Sequence, residues 1–344
     1  MSLNSLKIAD SDLEEIYLKS KEWFSLLEGR TIFLTGGTGF FGKWIIYSII
    51  YANQFLKEKI TILSITRNIE KLKENSPDIV ADPSVKFFEG NLESLKEFNQ
   101  PADIFIHCAA NVITSSCTDK ESYQDLELRN THAVLKFCKE NKIKRIVYTS
   151  SGAVYGACSS LDPNIDEVFH PNSELTPYGS AKRESEEIIR NFCLKENIEF
   201  NIARCFAFLG GYIPLEGSFA AGNFIRNMLK SEEIIVNSDG QAIRSFMYMT
   251  DLCNSILNLS TNPTMNQTVN IGSSENINIE SLAREIAKYN PKTSVNIKVK
   301  NKSEYFNKYA PNTDKAKDLF GIEASVDFND AIKRTIEFYK GSKH

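Results

Sequence analysis

Tyr178 and Lys182 stand four residues apart, so on a helix they share one face. A phenol with its ordinary pKa near ~10 is a poor base at neutral pH, but an ammonium beside it favours the phenolate. Such a pair can take a proton from a hydroxyl or return one. A second group of residues suits phosphate. In Thr35-Gly36-Gly37-Thr38-Gly39-Phe40-Phe41-Gly42 the glycines at 36, 39 and 42 permit a tight turn and a close backbone approach. The helix opening on that loop would aim its free amides at an anion such as a pyrophosphate.

These groups need a frame. Short apolar runs at 31–35, 60–66, 85–89, 104–107, 145–150 and 200–204 read as strands, and helical spacing fills 42–55, 69–73, 126–140 and 178–196. Strand–helix alternation predicts an α/β fold, a parallel sheet with helices on both faces. The glycine loop then falls at a strand–helix junction, where its spacing carries weight. Residues 11–27 have helical spacing, with Ser11 and Glu14 placed as a capping box. After Arg204 the pattern loosens at Pro214, Gly217 and Gly222. The division predicted is an N-terminal helical extension (1–29), a dinucleotide-binding domain (30–205) and a smaller, mainly substrate-binding α/β domain (206–344). Segments near 245–272 are expected to return to the main sheet.

Composition narrows the class. With 42% hydrophobic and 24% charged residues the chain has the balance of an ordinary globular protein. A net charge of −4 gives no overall pull toward nucleic acid or anionic membrane. The most apolar stretch, 44–52, is far short of the ~20 residues of a membrane helix. Seven cysteines, odd in number and without a CxxC pair, together with no visible secretory leader, predict a reduced, cytoplasmic protein. No metal site is expected.

At the end of the second strand, Ser64-Ile65-Thr66-Arg67-Asn68 lacks the acid that would bond both ribose hydroxyls of NAD. A guanidinium suits a 2′-phosphate, so Arg67 favours NADP over NAD.

The motifs also occur in a telling order. Gly36-x2-Gly39-x2-Gly42, Gly90-Asn91-Leu92, His107-x-Ala109-Ala110, Asn130, Ser150-Ser151, Val154-Tyr155-Gly156 and Tyr178-x3-Lys182 resemble the extended short-chain dehydrogenases/reductases, and within them the nucleotide-sugar epimerase/dehydratase family. The likeness runs from about 31 to 321. It implies a Rossmann-type doubly wound sheet that binds NADP or NAD through Gly36, Thr38, Gly39, Phe40, Phe41, Gly42, Arg67, Asn91, Leu92, Ala109, Ala110 and Asn130. It also implies a nucleotide-diphosphate sugar as substrate. Tyr178 would then exchange the proton of a sugar hydroxyl as hydride moves, Lys182 would bond the nicotinamide ribose, and Ser151 would hydrogen-bond the reacting oxygen. Asn130 would be the structural Asn of the preceding helix. His107 and Tyr155 are expected to pack rather than react.

Asp239-Gly240-Gln241-x2-Arg244-x6-Asp251 resembles the segment whose Arg clamps the substrate diphosphate, Arg244 here. The plainer alternative is an ion pair of Arg244 with Asp251 or another acid. Asn223-Phe224 sits where the family meets the nucleotide. A homodimer is also implied, packed through apolar faces of the helices near Asn130 and Tyr178 (Leu126, Val134, Leu135, Phe137; Ile188, Ile189, Phe192), faces that equally suit a core.

Two departures narrow the reaction. The family's sugar 4,6-dehydratases carry an acid pair directly after the Ser/Thr, where this chain has Gly152-Ala153, neither able to move a proton. Ala207 stands where many relatives have a substrate-binding Asn. Expected is a C4 epimerase or 4-ketoreductase. The alternatives are a 4,6-dehydratase, a non-catalytic NAD(P)-binding regulator that needs only the glycine loop, and a reductase of a non-sugar carbonyl, which Arg244 speaks against.

Overall fold

The computed structural model describes residues 6–110, 120–156, 175–217, 219–299 and 307–341. Cys117 and Cys158 lie outside them. Two helices, α1 (Asp10–Lys19) and α2 (Lys21–Leu27), lead into β1 (Thr31–Thr35), α3 (Phe40–Ala52) and β2 (Thr61–Thr66). Then come α4 (Ile69–Asn75), α5 (Pro77–Ala81), β3 (Val85–Glu89), β4 (Ile104–His107), α6 (Lys120–Glu140), β5 (Arg145–Ser151), α7 (Pro177–Glu196) and β6 (Glu199–Cys205). The later chain forms β7 (Ala207–Leu209), α8 (Ala220–Leu229), β8 (Ile234–Val236), β9 (Ile243–Arg244), β10 (Phe246–Tyr248), α9 (Met249–Thr261) and β11 (Gln267–Ile271). It closes with β12 (Ile277–Asn278), α10 (Ile279–Ala287), β13 (Val295–Ile297), β14 (Lys308–Tyr309), α11 (Asp314–Phe320) and α12 (Phe328–Lys340).

Seven parallel strands form the central sheet in the order β11-β6-β5-β4-β1-β2-β3. The chain steps from β1 outward to β3, then crosses to β4 on the other side of β1. Ligands of open α/β sheets bind at such a reversal, beyond the carboxyl ends of the strands. The loops after β1 and β4 meet there.

Both faces of the sheet are apolar because both are covered. Ile32 and Leu34 of β1 point into one core with α3, α9 and the N-terminal helices, while Phe33 points into the other with α6 and α7. Phe33 stacks on Phe105 at 5.3 Å between ring centroids, and Phe137 of α6 closes on it at 4.7 Å.

The helical start departs from the sequence expectation. Its N-cap is Ala9, with no side-chain cap, so Ser11 and Glu14 form no capping box. Tertiary contacts hold α1 instead: buried Asp12 accepts from Tyr248 Oη (2.7 Å) and pairs with Arg334 of α12 (2.9 Å). The predicted dimer faces are also largely interior, since Val134, Leu135, Phe137 and Ile189 belong to the core between sheet and helices. No helix among the described residues is long and apolar enough to cross a membrane.

Candidate active site

The loop after β1 is shaped by what its glycines exclude. Gly36 is left-handed (φ +76°), and a Cβ there would meet Ala109 N at 2.7 Å and Cys108 O at 2.8 Å. A Cβ on Gly42 would lie 2.2 Å from Gly36 O and 2.5 Å from Gly37 Cα, so the first turn of α3 rides directly on the loop. Gly39 differs: among the described residues its missing Cβ has only Gly36 O nearby, at 3.3 Å, with open space beyond. Gly39 is also the N-cap of α3 and supplies no side-chain acceptor. Free amides facing open space beside a backbone with no side chain fit a dinucleotide pyrophosphate. Thr38 is exposed there, while Phe40 and Phe41 are half-buried, Phe41 edge-on to Phe208 at 5.1 Å.

Around this loop stand the other predicted cofactor residues. Ala109 N donates to Thr35 Oγ1 (3.3 Å), holding the β4 end against the β1 end, and Ala110 is exposed. Asn91 caps the 3-10 turn that begins at half-buried Leu92, by a reciprocal bond pair with Ser94 (3.0 Å each way). Arg67 is exposed beyond β2 and has no partner among the described residues. His107 is buried and shares a 2.7 Å bond with Thr35 Oγ1. Burial, with Lys182 nearby, pulls its imidazole down to about 3, so it is neutral across ordinary pH and joins the strand ends.

Tyr178 and Lys182 lie in the first turns of α7, whose start is strongly specified. Thr176 caps it, accepting from Gly179 N (3.0 Å), and Pro177 takes the first helical position. A Cβ on Gly179 would fall 2.3 Å from Ala153 O, so glycine lets α7 lie directly on the turn after Ser151. Lys182 is 1% exposed; its Nζ donates to Tyr148 Oη (3.1 Å), lies 3.0 Å from Glu127 Oε1 and 6.0 Å from the Tyr178 ring centroid. Burial would pull this ammonium's pKa down, but Tyr148, Glu127 and Tyr178 more than offset it and hold the group well above its ordinary value. Lys182 is thus a fixed positive charge behind Tyr178.

Ser151 is buried at the end of β5, and its Oγ lies 3.2 Å from Tyr309 Oη. Tyr309 packs at a tilt against Phe206, 4.8 Å between ring centroids, with the Arg244 guanidinium 5.9 Å from its own ring centroid. Burial pushes its phenol well above the usual value, partly countered by Ser151, which leaves a protonated hydroxyl at the site. A Cβ on Gly152 would meet the Phe206 ring at 2.6 Å. The volume that a side chain at position 152 would need is therefore filled by Phe206.

Other predicted residues take different partners. Arg244 donates to Ile243 O (2.7 Å) and to the backbone and side-chain oxygens of Asn307 (3.1 Å each), not to Asp251. Asp251 instead accepts from Ser325 and Val326 amides at 2.8 and 3.1 Å. Asn223 is half-buried on α8, its amide donating to Gly217 O (2.9 Å). Asn130 is buried on α6, one turn beyond Glu127. Tyr155 packs and bonds: its hydroxyl donates to Asn270 Oδ1 (2.8 Å) and accepts from Arg204 (2.9 Å), which pairs with buried Glu186 (2.7 Å).

Sequence reasoning missed Glu127, Tyr148, Phe206 and Tyr309. One signal was available. Tyr123, Glu127, Asn130 and Val134 follow the helical apolar spacing, and a carboxylate on that stripe must be buried with a partner.

A glycine loop at the sheet's reversal and a Tyr–Lys pair at the neighbouring strand end define a Rossmann-type dinucleotide enzyme. Residues 32–272 match the profile of the NAD dependent epimerase/dehydratase family, and the chain belongs to that family, within the extended short-chain dehydrogenases/reductases. It is 23% identical over 332 residues to human dTDP-D-glucose 4,6-dehydratase, covering 92% of this chain and 91% of that one. A putative UDP-glucose 4-epimerase of Methanocaldococcus jannaschii is 29% identical over 256 residues, covering 73% and 79%. Among solved structures, UDP-glucuronic acid 4-epimerase from Bacillus cereus, in complex with UDP-glucuronic acid and NAD, superposes with a TM-score of 0.77. It shares 21% identity over 90% of this chain and 99% of that one. UDP-glucose 4-epimerase from Thermotoga maritima, with UDP-glucose, also has a TM-score of 0.77, at 20% identity over 90% and 98%.

Proposed function

We propose that this enzyme transfers hydride at C4 of a nucleotide-diphosphate sugar, as a 4-epimerase or 4-ketoreductase. The observation that supports the reading is the Phe206 ring packed on Gly152, which fills the place of an acid side chain at that position. The bound dinucleotide supplies the place to which hydride goes and from which it returns. Tyr178 takes the proton of the C4 hydroxyl on oxidation and gives it back on reduction, Lys182 holding the charge that favours its phenolate. Ser151 donates to the C4 oxygen, and Arg244 is the clamp for the diphosphate. Both reactions need only these groups, whereas dehydration needs a further acid and base at C6 and C5.

The dehydratase reading keeps one support, the likeness to dTDP-glucose 4,6-dehydratases along nearly the whole chain. Incubating the protein with UDP-, dTDP-, CDP- and GDP-sugars and their 4-keto forms, with NAD, NADP or NADPH, separates the readings by NMR of the products. A C4 epimer or a C4 alcohol is expected. A 4-keto-6-deoxy product overturns the proposal in favour of dehydration, and NADPH oxidation without a 4-keto sugar points away from sugars.

Arg67 favours NADP as the dinucleotide within this NAD-dependent family. Arg67→Ala is expected to weaken NADP binding about tenfold, the size of one charge-assisted hydrogen bond, and to leave NAD within about twofold. Titration of both dinucleotides checks it; equal losses would remove the 2′-phosphate role. A homodimer is proposed through the residues of α6 and α7 left partly exposed (Leu126, Ile188 and Phe192), with light scattering as its measurement. The five described cysteines are all free, which supports a reducing, cytoplasmic setting.

A further inference from the structure

Lys182 and Glu127 form an ion pair in a nearly dry place, with side chains 1% and 3% exposed and Nζ 3.0 Å from Oε1. Glu127 Oε1 accepts no well-directed hydrogen bond among the described residues, so the contact is one of charge. It is not the helices' sole tie. One turn further along, Thr131 Oγ1 and Ser185 Oγ already tie α6 to α7 at 2.9 Å, within a shared apolar core.

The other titratable groups facing Lys182 are neutral at ordinary pH. From β4, His107 is held down near 3 and the Cys108 thiol is pushed up to about 12 by burial. Burial likewise raises Tyr123 of α6, Tyr148 of β5 and Cys205 of β6. That leaves Glu127 as the single carboxylate that the described residues bring against the ammonium.

We propose that Glu127 is a positioning residue that sets how much of the Lys182 charge reaches Tyr178, an assignment that rests on the catalytic roles proposed above. A lysine buried alone tends to shed its proton, whereas a paired one keeps it. The same carboxylate offsets part of the field the ammonium exerts on the phenol. Tyr148 also holds the ammonium's proton, accepting from Lys182 Nζ at 3.1 Å, so removing Glu127 leaves Lys182 charged and strengthens its field at Tyr178.

The test is an ultraviolet titration of tyrosinate in the NAD-loaded protein, each variant measured against its own Tyr178→Phe counterpart so that the difference reports Tyr178. In Glu127→Gln, which keeps the side-chain shape and an oxygen acceptor, the Tyr178 phenolate is expected at a pH about one unit lower than in the wild type. The acid limb of the pH–rate profile should move the same way. Glu127→Asp, with its charge kept but withdrawn by one methylene, is expected to shift less in the same direction, and it serves alone if Glu127→Gln does not fold. An unmoved or raised titration in a folded variant overturns the proposal. The titration needs no sugar: a shift without turnover of any nucleotide sugar defeats the C4 chemistry and leaves the charge relation standing. Turnover with an unmoved titration does the reverse.

Discussion

Tyr178→Phe is expected to cut turnover about a thousandfold, within the range that a positioned acid–base group contributes. The dinucleotide should still bind with nearly unchanged affinity. The substitution removes one hydroxyl from a half-buried ring on the first turn of α7, and the helix is held by groups that it leaves alone. Thr176 still caps, Gly179 still lies on Ala153, and Lys182 keeps Glu127 and Tyr148. Thermal unfolding should therefore match the wild type, so that lost activity reports chemistry rather than folding. The measurement is a single-turnover assay beside a dinucleotide titration. It also decides between enzyme and regulator, because a sensor needs the glycine loop and not the phenol. Undiminished biological activity in a folded Tyr178→Phe protein would favour the regulator.

Gly42→Ala is expected to damage fold and binding together, and Gly39→Ala binding alone. At Gly42 the new methyl would lie 2.2 Å from Gly36 O and 2.5 Å from Gly37 Cα, both backbone atoms that cannot swing aside. Relief requires moving α3 off the loop, a cost of about 3 kcal/mol by comparison with overpacked cores. Because α3 lies between the sheet and α1, the loss should appear as a lower melting temperature even without ligand. At Gly39 the nearest atom of the described residues is 3.3 Å away with open space beyond, so the apoprotein should melt almost as before. If the pyrophosphate occupies that space, the methyl blocks it and dinucleotide affinity falls at least about tenfold, the loss of one charge-assisted contact. Equal effects of the two substitutions would show that the loop's open side is not the phosphate site.

Much of the architecture is legible along the chain because it follows from local rules. Strands β1, β3 and β4 have the bounds that their apolar runs predict, and the remaining sheet strands differ from expectation by a residue or so at an end. Periodicity shows these elements because a strand covered on both faces must be apolar throughout. The start of α7 is written in Thr176 and Pro177, and the glycine spacing of the loop is a local necessity of a tight turn. The gap at Gly152-Ala153 is equally plain, since a missing acid needs no coordinates to be noticed.

Partnership is what the linear pattern does not carry. Nothing in the order of residues pairs Lys182 with Glu127, 55 positions earlier, or aims Phe206 at Gly152, or brings Tyr309 from the far end of the chain to Ser151. Each depends on how α6 packs on α7, or on how the late strands fold back over the sheet. Those placements arise from many side chains filling one volume at once. The same packing made most of the expected dimer face an interior, and sent Arg244 to Asn307 and Asp251 to the Ser325 loop. Local chemistry along the chain thus identifies which groups can react; the charge and room around them come from neighbours that only the folded chain assembles.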